Sequence, residues 1–131
     1  MNAESHVIDI LLLGSGGREH ALAAKLAASP HAGKIYIAPG NGGTALVGEN
    51  VDLDAEDPKA VAAFAHDRGC GLVVIGPEAP LVVGVADAVR AAGIPCFGPG
   101  KEGAQMEGSK LFAKQVMERA GVPTARYQSF T

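Results

Sequence analysis

Leu11-Leu12-Leu13-Gly14-Ser15-Gly16-Gly17-Arg18-Glu19-His20 is the stretch whose reading decides the fold. Apolar strand residues run into a glycine-rich turn, and the turn opens directly onto a helix. Such a junction gathers unpaired backbone N–H groups and the positive end of a helix dipole around one small volume, a natural place for a phosphate. The stretch departs from a dinucleotide fingerprint in two ways. A third glycine is needed where this chain has Glu19, and the ribose acid is missing where the second strand ends in Ala38-Pro39. A phosphate monoester therefore fits the turn better than NAD or FAD.

Outward from the turn, the pattern alternates. Val7 to Leu13 is almost wholly apolar, as a strand buried on both faces should be, and a helix is expected from Gly17 to about Ser29. Strands are expected at Lys34–Ala38, Val51–Leu53, Leu72–Ile75 and Ile94–Phe97. Between them, Asp57-Pro58 opens one helix that Gly69 ends, and a second runs from about Leu81 to Ala92 before Gly93. Strands alternating with helices imply a doubly wound, parallel α/β sheet in the order 3-2-1-4-5. In that order strands one and four are neighbours, and a crevice opens at their carboxyl ends between Gly14–Gly17 and Gly76–Pro80. After Gly98-Pro99-Gly100 a helical stretch is expected to about Ala120, and the second half of Val122–Thr131 has strand character.

Several residues around the crevice carry chemistry. Arg18 puts a cation in the first helical turn, which the dipole disfavours unless an anion compensates; a solvated arginine is the plain alternative. Glu19 is electrostatically at ease there and need be no more than structural, and His20 is more readily a packed helix residue than a ligand. Glu78, restrained by Pro77 and Pro80, faces the glycine turn and suits the vicinal hydroxyls of a ribose. Asn41, in Pro39-Gly40-Asn41-Gly42-Gly43, either contacts the same ligand or takes a left-handed turn conformation. Lys110, after Gly108-Ser109, is a second cation at a helix start.

Composition excludes several classes. The chain has 131 residues, 47% of them hydrophobic, enough for a real core and unlike a disordered segment. A net charge of −3 without a Lys/Arg cluster argues against a nucleic-acid surface. No apolar run approaches the roughly 20 residues of a membrane span, and Met1–His6 does not read as a secretory signal. A cytoplasmic protein is expected, with Cys70 and Cys96 as small reduced thiols rather than a disulfide or metal pair.

Taken together, Leu12–Leu22 (LLGSGGREHAL), Ala38–Ala45 (APGNGGTA), Gly76–Leu81 (GPEAPL) and Glu107–Lys110 (EGSK) resemble the phosphoribosylamine–glycine ligases, ATP-grasp enzymes of purine biosynthesis. The blocks span the whole chain. The resemblance implies a pre-ATP-grasp domain over residues 1–98, then a linker and the beginning of an ATP-grasp domain over 99–131. It further implies that the chain is part of a longer enzyme, expected to fold but not to catalyse alone, with the segment after about Gly100 mobile or packed on a second copy.

The implied reaction joins glycine to 5-phosphoribosylamine, with ATP as co-substrate and Mg2+ or Mn2+ held by residues outside this chain. On this view the turn Gly14, Ser15, Gly16 and Gly17 holds the substrate's 5′-phosphate, a role inferred from the geometry of the turn, and Arg18 and Glu19 are also expected to be substrate-binding. Glu78 contacts the ribose, Asn41 is a further substrate-binding residue, and Lys110 matches a position that reaches nucleotide phosphates in similar ATP-grasp ligases. Another ATP-grasp ligase of nucleotide metabolism, or a stand-alone module that binds a phosphate ligand, are the alternatives.

Overall fold

The computed structural model describes residues 7–130, so Met1–His6 and Thr131, on which the leader and chain-end readings partly rest, lie outside the described residues. Five strands form one sheet: β1 (Ile8–Gly14), β2 (Ala32–Pro39), β3 (Glu49–Asn50), β4 (Cys70–Ile75) and β5 (Cys96–Phe97). All pairings are parallel and the order is β3-β2-β1-β4-β5, as expected from the sequence. Among the described residues six α-helices accompany them, α1 (Gly17–Ala27), α2 (Pro58–Asp67), α3 (Glu78–Val83), α4 (Val85–Ala91), α5 (Lys101–Gly108) and α6 (Lys110–Arg119), with a short 3-10 helix at Thr44–Leu46.

The central strand explains why the sheet is covered on both sides. Side chains alternate across a strand. Leu11 and Leu13 therefore pack with Val61, Ala65, Val85 and Val89 from α2 and α4, while Ile10 and Leu12 pack with Ala23 of α1 and with Ile35, Ile37 and Val74. Leu11, Leu12 and Leu13 are fully buried. Beside this core, the Tyr36 ring meets Phe64 edge to face at 5.5 Å, and the Arg68 guanidinium lies 5.6 and 5.4 Å from their centroids. Asp57 caps α2 by accepting from the N–H groups of Lys59 and Ala60, with Pro58 in the first helical position.

The structure corrects four sequence expectations. The third strand lies at Glu49–Asn50 rather than Val51–Leu53: Val51 N–H still donates to Ile37 O, but Leu53 N–H turns back onto Val51 O and ends the ladder. The helix expected from Leu81 begins at Glu78, because an acid suits the first turn and Pro80 stands where a missing N–H goes unneeded. It breaks at Gly84, whose φ of +95° separates α3 from α4. The stretch expected to be one helix to Ala120 is two, because Ser109 is extended and its hydroxyl accepts from Phe112 N–H, starting α6 afresh. Residues 122–130 form no strand, since no other strand lies alongside to pair their N–H and C=O groups.

The chain leaves β5 under close control from α4. Arg90 donates to the carbonyls of Cys96 and Gly98, and the Asp87 carboxylate accepts from Lys101 N–H at 2.7 Å. Asp87 lies so close over Gly100 that a Cβ there would meet it. From this joint α5 runs back along α3, where Gly108 faces Val82.

Cys70 is buried at the start of β4 and Cys96 is half-buried on β5; both are free thiols. Burial pushes the Cys70 thiol above its ordinary value, with Asp9 adding to the rise and Arg68 opposing it. For Cys96 burial again raises the value, Arg90 lowers it and Asp87 adds a smaller rise.

Candidate functional site

A crevice of about 530 Å³ opens at the carboxyl ends of β1, β2 and β4. Its walls are the turn Gly14–Gly16, Pro39 at the end of β2, the loop Leu53–Glu56, and Pro77, Ala79 and Pro80 around the start of α3. This is the topological switch point, where crossovers from neighbouring strands leave toward opposite faces.

Glu19 is the centre of the arrangement. It is only 3% exposed. Its Oε2 accepts from Gly16 N–H at 2.8 Å, closing the first turn of α1 as a capping box does. Its Oε1 accepts from Arg18 Nε at 3.1 Å. The side chain lies between the turn after β1 and the turn after β4, and a Cβ at either Gly14 or Gly76 would overlap it. Those two positions need glycine for that approach, and Gly14 also has a φ of +128°.

Arg18 is largely exposed, and beyond Glu19 its Nη2 stands 4.0 Å from Glu78 Oε2. The compensation that the sequence called for is thus present within the chain, as two carboxylates. Glu78, the first residue of α3, reaches toward the glycine turn from the opposite wall with its side chain open to solvent. Gly17 and Arg18 carry first-turn N–H groups that an α-helix leaves without partners of its own, but neither of them, nor Glu78 or Asn41, is among the residues that line the crevice.

Asn41 does not take a left-handed conformation; among the described residues only glycines have positive φ, and in this loop that residue is Gly40. Its amide instead spans to the glycine turn. Nδ2 donates to Ser15 O at 2.8 Å and more weakly to Gly16 O at 3.4 Å, while Oδ1 accepts from Gly43 and Thr44 N–H. Thr44 is completely buried, and its hydroxyl binds Asn41 O and Asn50 Oδ1. His20 packs its ring against Gly43 on the outer side of this loop and does not line the crevice. Lys110 also stands apart, exposed at the start of α6 in a separate groove with Leu111, Lys114 and Tyr127.

Sequence reasoning missed the loop Leu53–Glu56, which brings Asp54 and Glu56 to the crevice wall. The signal was the acidic run Asp52-Leu53-Asp54-Ala55-Glu56-Asp57, at the carboxyl end of a strand next but one to the switch point. With Glu19, the wall carries three acids and no lysine or arginine. The described residues hold no group of three His, Cys, Asp or Glu side chains that could bind a metal, and no helix long and apolar enough to cross a membrane.

Residues 8–107 match the family described as phosphoribosylglycinamide synthetase, N domain. The phosphoribosylamine–glycine ligase of Haemophilus influenzae is 56% identical over 126 residues, covering 95% of this chain and 29% of that protein. Among solved structures, the Thermotoga maritima phosphoribosylamine–glycine ligase aligns with a TM-score of 0.66 and 31% identity, over 91% of this chain and 26% of the other. N5-carboxyaminoimidazole ribonucleotide synthetase from Thermus thermophilus aligns with a TM-score of 0.63 and 28% identity, over 88% of this chain and 31% of the other. The chain therefore spans about 29% of the length of the curated relative it matches.

Proposed function

The chain belongs to the phosphoribosylglycinamide synthetase N-domain family, and from that premise we propose that it supplies the phosphoribosylamine side of a phosphoribosylamine–glycine ligase of purine biosynthesis. Residues 1–98 form the pre-ATP-grasp domain, and 99–131 are a linker and the beginning of an ATP-grasp domain. ATP transfers its terminal phosphoryl group to the glycine carboxylate, leaving ADP. The amine of 5-phosphoribosylamine then attacks the acyl carbon, the new C–N bond forms, and phosphate departs. Mg2+ or Mn2+ would neutralise charge on the transferring phosphates; the described residues form no cluster of three His, Cys, Asp or Glu side chains to hold it. The setting is cytoplasmic and the ligands are small molecules.

Within this chain the crevice is the substrate site. Gly17 and Arg18 N–H groups and the Arg18 guanidinium face the 5′-phosphate, with Gly14, Ser15 and Gly16 shaping the turn and Glu19 bracing it. Glu78 accepts from the ribose hydroxyls, and Lys110 serves the nucleotide. The observation that carries this reading is the 4.0 Å approach of Arg18 Nη2 to Glu78 Oε2, beside a crevice walled by the adjoining Gly14–Gly16 turn and Pro77.

One observation favours a reversed pose. Glu19, Asp54 and Glu56 line the wall without a basic partner among the lining residues, which suits the hydroxyl and amine end of the substrate rather than its phosphate. Amide NMR titrations with ribose 5-phosphate, ribose and inorganic phosphate separate the two poses. The first predicts that ribose 5-phosphate and inorganic phosphate both move Gly14–Arg18. The reversed pose predicts that ribose alone reproduces the shifts and inorganic phosphate gives none. No shift at Gly14–Arg18 or Glu78 with millimolar ribose 5-phosphate would sink the assignment of the crevice.

A further inference from the structure

We propose that Asn41 is the positioning residue of the crevice: its side-chain amide orients the Ser15–Gly16 and Gly16–Gly17 peptide groups, and with them the donors of the glycine turn. The proposal rests on the reading of the crevice as the phosphoribosyl site.

Three of the four residues Gly14–Gly17 are glycine, the residue with the widest backbone freedom. A turn of that composition has no intrinsic reason to aim its N–H groups in one direction. In a trans peptide the C=O of one residue and the N–H of the next point opposite ways within one rigid plane. Whatever holds the Ser15 and Gly16 carbonyls therefore sets the directions of the Gly16 and Gly17 N–H groups.

Asn41 holds both. Its Nδ2 donates to Ser15 O at 2.8 Å, and the Gly16 N–H of that same peptide points away to Glu19 Oε2 at 2.8 Å. The weaker second bond, to Gly16 O at 3.4 Å, adds to the helical bond which that carbonyl accepts from His20 N–H at 3.0 Å. The pin is itself fixed. Asn41 Oδ1 accepts from Gly43 N–H at 2.7 Å and Thr44 N–H at 3.0 Å, and Asn41 O accepts from Asn50 Nδ2 at 2.7 Å. All four hydrogen-bonding sites of the side-chain amide are thus in use or directed within the chain, so Asn41 acts on a ligand through the turn rather than by contact.

Two variants separate the pin from the loop around it. Asn41→Asp keeps the oxygen that accepts from Gly43 and Thr44 and removes the donor to Ser15. Asn41→Ser is uncharged, can still accept from the loop as a short hydroxyl, and does not span to Ser15. In the ligand-free chain both variants are expected to move the Gly16 and Gly17 amide signals, while those of β4 and the melting temperature stay close to the parent's. Affinity for ribose 5-phosphate is expected to fall about five- to tenfold in Asn41→Ser, the loss of roughly one hydrogen bond's worth of orientation, and further in the charged variant.

Unchanged Gly16 and Gly17 signals, or moved signals with unchanged affinity, would overturn the proposal. So would loss of the β4 signals, which would make Asn41 a general structural residue. If the parent chain binds no ribose 5-phosphate, the crevice assignment fails, and the ligand-free signals still decide whether Asn41 orients the turn.

Discussion

Glu19 shows how one side chain sets the character of a site. It caps α1, braces Arg18 and fills the space between two strand-end turns. Glu19→Ala removes the cap and the filling together, and a loss of about 1–3 kcal/mol in unfolding free energy is expected from urea titration. Glu19→Gln keeps the shape and an acceptor for Gly16 N–H, so it is expected to lose less than half as much; equal losses would show that charge rather than shape matters. The sequence made Glu19 a comfortable first-turn acid but not a buried one, because it lies against Gly76, some sixty residues on. Glu78 was legible for the opposite reason: its position after an apolar strand, between two prolines, is a local fact.

Burial also governs the two thiols. Both are held above their ordinary value of 9.0, chiefly by burial. A raised value favours the protonated thiol in the folded chain. The stability this contributes is therefore fully present below pH 9.0 and is lost as pH rises through the folded value. Alkylation at pH 8 should be slow in the native chain and fast in urea, with half-buried Cys96 reacting before buried Cys70; rapid native modification of Cys70 would contradict this.

At the scale of elements, those with a strong local pattern were the ones legible in the sequence. β1 and β4 are continuous apolar runs, and α2 is bounded by Asp57-Pro58 and Gly69. The elements misread were decided by contacts across the chain: β3 by its two-residue pairing with Tyr36 and Ile37, and the break between α5 and α6 by Ser109 turning extended where Gly108 meets Val82. Asp57→Ala should destabilise the chain by about 1 kcal/mol through the lost α2 cap. Asp87→Ala acts elsewhere, since it frees Lys101 N–H. Amide exchange in Lys101–Gly108 should rise severalfold while β1 and β4 stay protected, and unchanged exchange in α5 would show that packing on α3 suffices without Asp87.

For the whole molecule, β1, β2 and β4 each place side chains in both cores, and β1 lies between the other two. Leu12→Ala opens a cavity on the α1 side and Leu11→Ala one on the side of α2 and α4. Each is expected to cost about 2–5 kcal/mol, a large part of the roughly 5–15 kcal/mol typical of a domain. Denaturant melts followed at both faces should lose structure together, because the two clusters share β1, β2 and β4; separate transitions would contradict a single cooperative sheet.

The joint after β5 has a mechanical consequence. Arg90 and Asp87 grip the chain at Cys96, Gly98 and Lys101, and α5 extends from that grip for eight residues. At 1.5 Å per residue this is an arm of about 12 Å, so a swing of about 10° at the grip carries the far end of α5 through about 2 Å. The starting direction of α5 is thus set from α4, which does not line the crevice, while α3 supports the helix along its length.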